Sequence, residues 1–394
     1  MIRFLRSIVI IVTLSISLAE AQEMSLEERA KRATARWEAR GLAHDYKGIH
    51  TKDGLIPGLY PIRATGVSTA MPREAAKDFL AALDADQRKK TMFPVEDDEW
   101  RKWMNRHLFF RQGVSLEEMD EEQREAAFEL IRSSLSARGL ELALDIMNLN
   151  WTLGEMTGNK FEEFNEWLYW ITVMGEPSSD EPWGWQLDGH HLIINYFVMG
   201  DQVVMTPVFV GSEPVTARTG KYAGTTILQD EQNQGLALLR ALNESQREAA
   251  LLNAEKDGVN NLTEAFTDNV VLDYAGVAVS SFTDEQKSRL LNLIALYVGN
   301  MDDGHAKVKM DEVQNHLDDT YFAWIGGSDD DSVYYYRIHS PVILIEFDHQ
   351  NPANLDHLYP PVPTREHIHS VVRTPNGNDY GKDLLRQHHE QHPH

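Results

Sequence analysis

Hydrophobic residues recur along this chain at two periods. From Thr283 to Asn300 the residues Leu290, Leu291, Ile294, Tyr297 and Val298 fall on one face at the 3.6-residue period, which predicts an amphipathic helix. Its start is marked by Thr283 with Gln286 three places on. The same spacing recurs at Asp120 and Gln123 and at Asn243 and Gln246, while Ser25 and Glu28 form a similar pair near the N-terminus. The three Gln-type starts are too unevenly spaced to be repeats. Other stretches are β-branched and aromatic. They predict strands over Glu166 to Met174, Trp183 to Val198, Val203 to Val210, Tyr321 to Ile325, Val333 to Ile338, Val342 to Asp348 and Ile368 to Arg373. Hairpins mixed with intervening helices, without a regular βαβ alternation, predict an α+β fold: antiparallel sheet packed with several helices.

The N-terminus reads differently. Arg3 and Arg6 precede an apolar run from Ile8 to Leu18 that ends in Ala19-Glu20-Ala21. The run is too short for the roughly 20 residues that a membrane span needs. Its order of basic, apolar and small residues predicts a signal peptide over residues 1–21, cleaved before Gln22. An uncleaved anchor is the competing reading, disfavoured by the dense charge from Gln22 to Arg40. The expectation is therefore a secreted or periplasmic protein without stable membrane insertion. Residues 22–112 carry the weakest pattern and are expected to form a partly helical extension wrapping a main domain over 113–388, followed by a His-rich tail over 389–394.

Composition narrows the chemistry. The formal charge is −24 among 394 residues, which disfavours nucleic acid and anionic membranes as partners. There is no cysteine, so disulfides, thiolate nucleophiles and thiolate metal sites are excluded. No Walker loop, Gly-x-Gly-x-x-Gly, Gly-x-Ser-x-Gly or His-Glu-x-x-His is present, and no nucleotide cofactor is expected. Sixteen histidines remain. His367 and His369 stand at i and i+2 of a predicted strand, side by side on one face, a spacing that suits a divalent metal. His190 and His191 are expected to point to opposite faces of another strand. Glu346 and Asp348 share a strand face, and Arg373 ends the last strand. His190 or His191, His367 and His369 thus form a candidate ligand set for zinc, copper or iron. Glu346 or Asp348 would be ligand or general base, and Arg373 would stabilise developing negative charge. Each has a plainer reading, Glu346 in particular as an ion-pair partner of Arg337 or Arg373. Trp183, Trp185 and Tyr334 to Tyr336 read more readily as core than as a sugar-stacking platform.

The order of several short motifs is also familiar. Pro182-Trp183-Gly184-Trp185, Gly189-His190-His191-Leu192, Thr206-Pro207 with Phe209 and Gly211, Tyr321-Phe322-Ala323-Trp324, Tyr335-Tyr336-Arg337-Ile338, Ile345-Glu346-Phe347-Asp348, His367-Ile368-His369-Ser370 with Arg373, and Asp379-Tyr380-Gly381-Lys382-Asp383-Leu384-Leu385 resemble the bacterial family called domain of unknown function 3500. The resemblance covers about Ser115 to His388. It implies export, which agrees with the leader, and places Gly-His-His, Glu-x-Asp and His-x-His among the family's recurring motifs. It carries over no catalytic role. Three readings stay open: a metal-dependent enzyme, hydrolytic before oxidative; a binding protein for a small anionic or carbohydrate ligand; and a buried polar network that only fixes the fold. Oligomeric state is not legible.

Overall fold

The computed structural model describes residues 24–392. The expected leader, residues 1–21, lies outside the described residues, as does His394. No helix among the described residues is long and apolar enough to cross a membrane.

Thirteen strands form one mixed sheet. They are β1 (Met92–Phe93), β2 (Val114–Ser115), β3 (Tyr169–Met174), β4 (Trp183–Gly189), β5 (Leu192–Met199), β6 (Gln202–Val204), β7 (Val208–Ser212), β8 (Leu251–Asn253), β9 (Val277–Ala278), β10 (Tyr321–Gly326), β11 (Tyr334–His339), β12 (Leu344–His349) and β13 (Ile368–Arg373). The order is β1-β3-β4-β5-β7-β13-β12-β11-β10-β8, with β2 on β3, β6 on β5 and β9 on β10. From β3 to β10 every neighbour is antiparallel, and only the edge strands β1 and β8 pair in parallel. With ten α-helices among the described residues, this is an α+β single domain.

Alternation along the strands gives the sheet two different faces. Trp185, Leu187, Tyr334, Tyr336, Ile345 and Phe347 belong to a large apolar core shared with the helices Ala70–Ala82, Glu121–Ser134, Ala137–Met156, Gln229–Ala241 and Asp284–Val298. All three Gln-type capping boxes form, as does the one at Ser25. The aromatic Trp183, Trp185 and Tyr334 to Tyr336 are buried and serve as core. On the opposite face Ile193, Phe197, Phe209 and Val371 are covered by loops, short 3-10 turns and the last helix, with Trp100, Trp103 and Tyr60 from the N-terminal part and Tyr380, Leu384 and Leu385 from the C-terminal part. The last helix runs Lys382–Gln391 and takes in both His388 and His389, the first residue of the expected tail.

One strand boundary departs from expectation. The sequence pattern ran unbroken through His190 and His191, but β4 ends at Gly189 and β5 begins at Leu192, with Gly189 paired to Leu192. The two histidines are the turn of a tight hairpin, and His191, its second residue, has a positive φ (63°). They do not point to opposite sheet faces; their rings stack with centroids 4.0 Å apart.

Candidate metal centre

The hairpin turn lies at the same end of the sheet as the start of β13, with β7 between them: Leu192 pairs with Val210 of β7, and Gly211 pairs with His369. Backbone bonds pin the turn. His191 N–H donates to Asn105 O (3.2 Å), and its carbonyl accepts from Gly211 N–H (2.9 Å). A Cβ on Gly211 would stand 2.4 Å from Ile368 O, so a glycine lets β7 and β13 close here. A non-glycine residue held at φ of 63° costs on the order of 1–2 kcal/mol, and such outliers gather where a site needs them.

Three imidazoles meet as a result. His191 Nε2 lies 3.1 Å from His369 Nε2 and 3.3 Å from His367 Nε2, and the last two are 3.0 Å apart. Nitrogens bound about 2.0–2.1 Å from one ion stand about 2.9 Å apart at right angles and about 3.4 Å apart at the tetrahedral angle. The observed spacings fall between these limits. Buried His191, His367 and His369 therefore form a group that could hold a metal ion.

The outer edges of the rings decide which nitrogens carry hydrogen. His367 Nδ1 donates to Asn351 O (2.6 Å), and His369 Nδ1 donates to Glu264 Oε1 (2.8 Å). In neutral rings both Nε2 atoms then present lone pairs. Only His191 is left to place a hydrogen among them, and if it does, His367 Nε2 and His369 Nε2 still face each other as two acceptors 3.0 Å apart. Burial pushes His367 down to about 3 and holds His191 well below the ordinary histidine value, with the neighbouring imidazoles adding to it. Neutral imidazole is the form that ligates a metal.

Glu264, which sequence reading did not single out, orients His369. Its carboxylate also accepts from Asn261 Nδ2 (2.8 Å) and Asn105 Nδ2 (3.3 Å). Burial would raise Glu264, but His369 and the two amides outweigh it and hold the carboxyl below its usual range. A histidine ligand backed by a carboxylate is the usual outer arrangement of metal sites.

The other expected site residues are not part of the trio, although Asp348 is the cross-strand partner of His369. His190 stands behind His191 with Nδ1 on Asn150 Oδ1 (2.8 Å), so its stacked ring is not part of the trio. Glu346 is fully buried and accepts from Leu262 N–H (2.9 Å), Thr263 N–H (3.0 Å), Thr263 Oγ1 (2.5 Å) and Tyr335 OH (2.6 Å). Asp348 pairs with Lys256 (3.0 Å) and accepts from Asn260 N–H (2.8 Å) and Gln350 Nε2 (2.7 Å). Arg373 is held by Asp268 (2.7 Å) and Asp379 (2.8 Å). Glu346 or Asp348 was expected as ligand or general base and Arg373 as a stabiliser of negative charge, and the structure shows all three bonded to one loop. Together they fasten the irregular chain at 256–268 across the sheet, and Glu264 is part of that chain. They position the group that positions His369.

No curated protein and no solved structure matches the chain. One family does, described as "Protein of unknown function (DUF3500)", over residues 65–382, which takes in β1 to β13, the three converging histidines and Glu264. The chain belongs to this family.

Proposed function

We propose that this is an exported metal-dependent enzyme, hydrolytic before oxidative, in which His191, His367 and His369 hold one divalent transition ion. The observation that carries this reading is the meeting of three Nε2 atoms within 3.0–3.3 Å while two of the Nδ1 hydrogens are donated outward. Without a cation between them, lone pairs would face one another in a buried site. Three imidazoles with no thiolate suit zinc, copper or iron. Such an ion with an open position acts as a Lewis acid and makes water a nucleophile near neutral pH. Glu264 keeps His369 in the ligating tautomer, and the Asn351 carbonyl does the same for His367.

Elemental analysis of the mature full-length chain, with His389, His392 and His394 replaced by glutamine, tests the reading. About one equivalent of metal is expected, lost in His367→Ala/His369→Ala; a native chain that binds no metal even after reloading defeats it. A second reading, a structural ion, is favoured by the burial of all three residues, none more than 8% exposed. Loading with Co(II) separates the two. A visible spectrum that azide changes marks an open coordination position, and a spectrum indifferent to azide supports the structural ion. Export is tested by N-terminal sequencing of protein recovered outside the cytoplasm, which should begin at Gln22.

A further inference from the structure

Behind the trio lies a cavity of about 350 Å³ that none of its three histidines lines. The helix Leu26–Gly41 covers one side, and Phe109, Phe110, Leu168 and Trp170 make most of the wall apolar. His190 and Glu163 supply polar groups deeper in the wall, and exposed Glu162 stands at the mouth. The volume is in the range that accepts a small organic molecule.

The polar groups specify the kind of molecule. Asn150 donates its amide N–H to Asn165 O (2.8 Å), which turns its Oδ1 toward His190 and fixes the His190 hydrogen on Nδ1. The opposite ring edge, Nε2, is left as an acceptor at the cavity, on a residue only 5% exposed. The charges agree with this. Arg111 is spent on Asp188 (3.1 Å) and on the carbonyls of Met104 and Arg106, and Glu27 at the rim is paired with Lys31. Glu163 meets His107 Nε2 at 3.3 Å, and burial holds His107 below the ordinary histidine value, so that imidazole does not cancel the carboxylate. An acceptor nitrogen and carboxylates beside aromatic walls call for a donor with a positive charge.

We propose that this cavity binds a small aromatic or branched-apolar amine whose ammonium group is received by His190 Nε2 and Glu163. The bound molecule would lie one imidazole ring from the His trio, because His190 stacks on His191. The cavity's walls do not depend on a metal.

Isothermal titration of the full mature chain with 1-naphthylmethylamine and with 1-naphthylacetate tests the proposal. The amine should bind about tenfold tighter than the carboxylate, and Glu163→Gln should reduce that preference to about threefold or less. Ala30→Trp, which fills the cavity from the covering helix, should abolish amine binding while circular dichroism stays native. His367→Ala/His369→Ala should still bind the amine, so failure of the metal reading and failure of this one are separately visible. No binding of either probe, a preference for the carboxylate, or amine binding that a folded Ala30→Trp variant retains would overturn the proposal.

Discussion

If Glu346 fastens a loop, removing its carboxylate must cost stability first. The side chain is fully buried, and four donors converge on it: the amides of Leu262 and Thr263, and the hydroxyls of Thr263 and Tyr335. Glu346→Ala leaves these donors without their acceptor. Each buried group left unpaired costs about 1–3 kcal/mol. The two hydroxyls can turn toward other acceptors while the amides cannot, so the total should be roughly 3–5 kcal/mol. Glu346→Gln keeps an acceptor oxygen and should lose about half as much. Guanidinium unfolding followed by tryptophan fluorescence, with ΔG taken by linear extrapolation, reads both. Because the loop carries Glu264, the alanine variant should also bind metal less tightly than the parent. A Glu346→Ala protein within about 0.5 kcal/mol of the parent would refute the clamp and restore Glu346 as a candidate reactive group.

Glu264→Gln removes the charge behind His369 without changing its shape, and metal affinity measured against a competing chelator should fall about 10- to 100-fold. Gly211→Ala forces a methyl against the Ile368 carbonyl, so it should destabilise the chain by about 1–3 kcal/mol in the same unfolding assay and lower its metal content. Burial raises Glu99 to about 7 despite Lys102 at 3.3 Å. In that case the folded state binds more protons than the unfolded one between the two pKa values. The stability that neutral Glu99 contributes is complete below its unfolded value and lost as pH rises through about 7. Glu99→Gln, which cannot ionise, should therefore gain on the parent by on the order of 2 kcal/mol between pH 5 and pH 8 in parallel unfolding curves. An equal difference at both pH values would contradict the assignment.

The elements that could be read from the sequence are those whose period belongs to a single segment. The helix Asp284–Val298 begins after its Thr283 cap and buries Leu290, Ile294, Tyr297 and Val298, as the 3.6 period requires. Strand β13 runs Ile368–Arg373, the predicted span. The hairpin turn at His190 was not legible, because its two residues are not the usual Asn-Gly or Asp-Gly and Asp188-Gly189 stands two residues too early. A turn made by two histidines is visible only once Asn105 and Gly211 are seen to hold its backbone.

The candidate site divides along the same line. His367 and His369 are neighbours on one strand, so their convergence is a local property that i, i+2 spacing states directly. His191 joins them only through sheet order, since β5 must pair with β7 and β7 with β13, and no window of sequence contains that fact. Glu264 is further from reach. It sits in irregular chain with no period, placed by Glu346, Asp348 and Arg373, the polar strand residues that first suggested catalysis. Their burial explains both their prominence in the sequence and their engagement with a loop instead of with the three imidazoles. A carboxylate in a buried strand is unusual because it must be satisfied there, and here backbone amides and charged partners from one loop satisfy it. Polar residues in apolar strands thus marked the right part of the molecule one layer away from the ring nitrogens that converge.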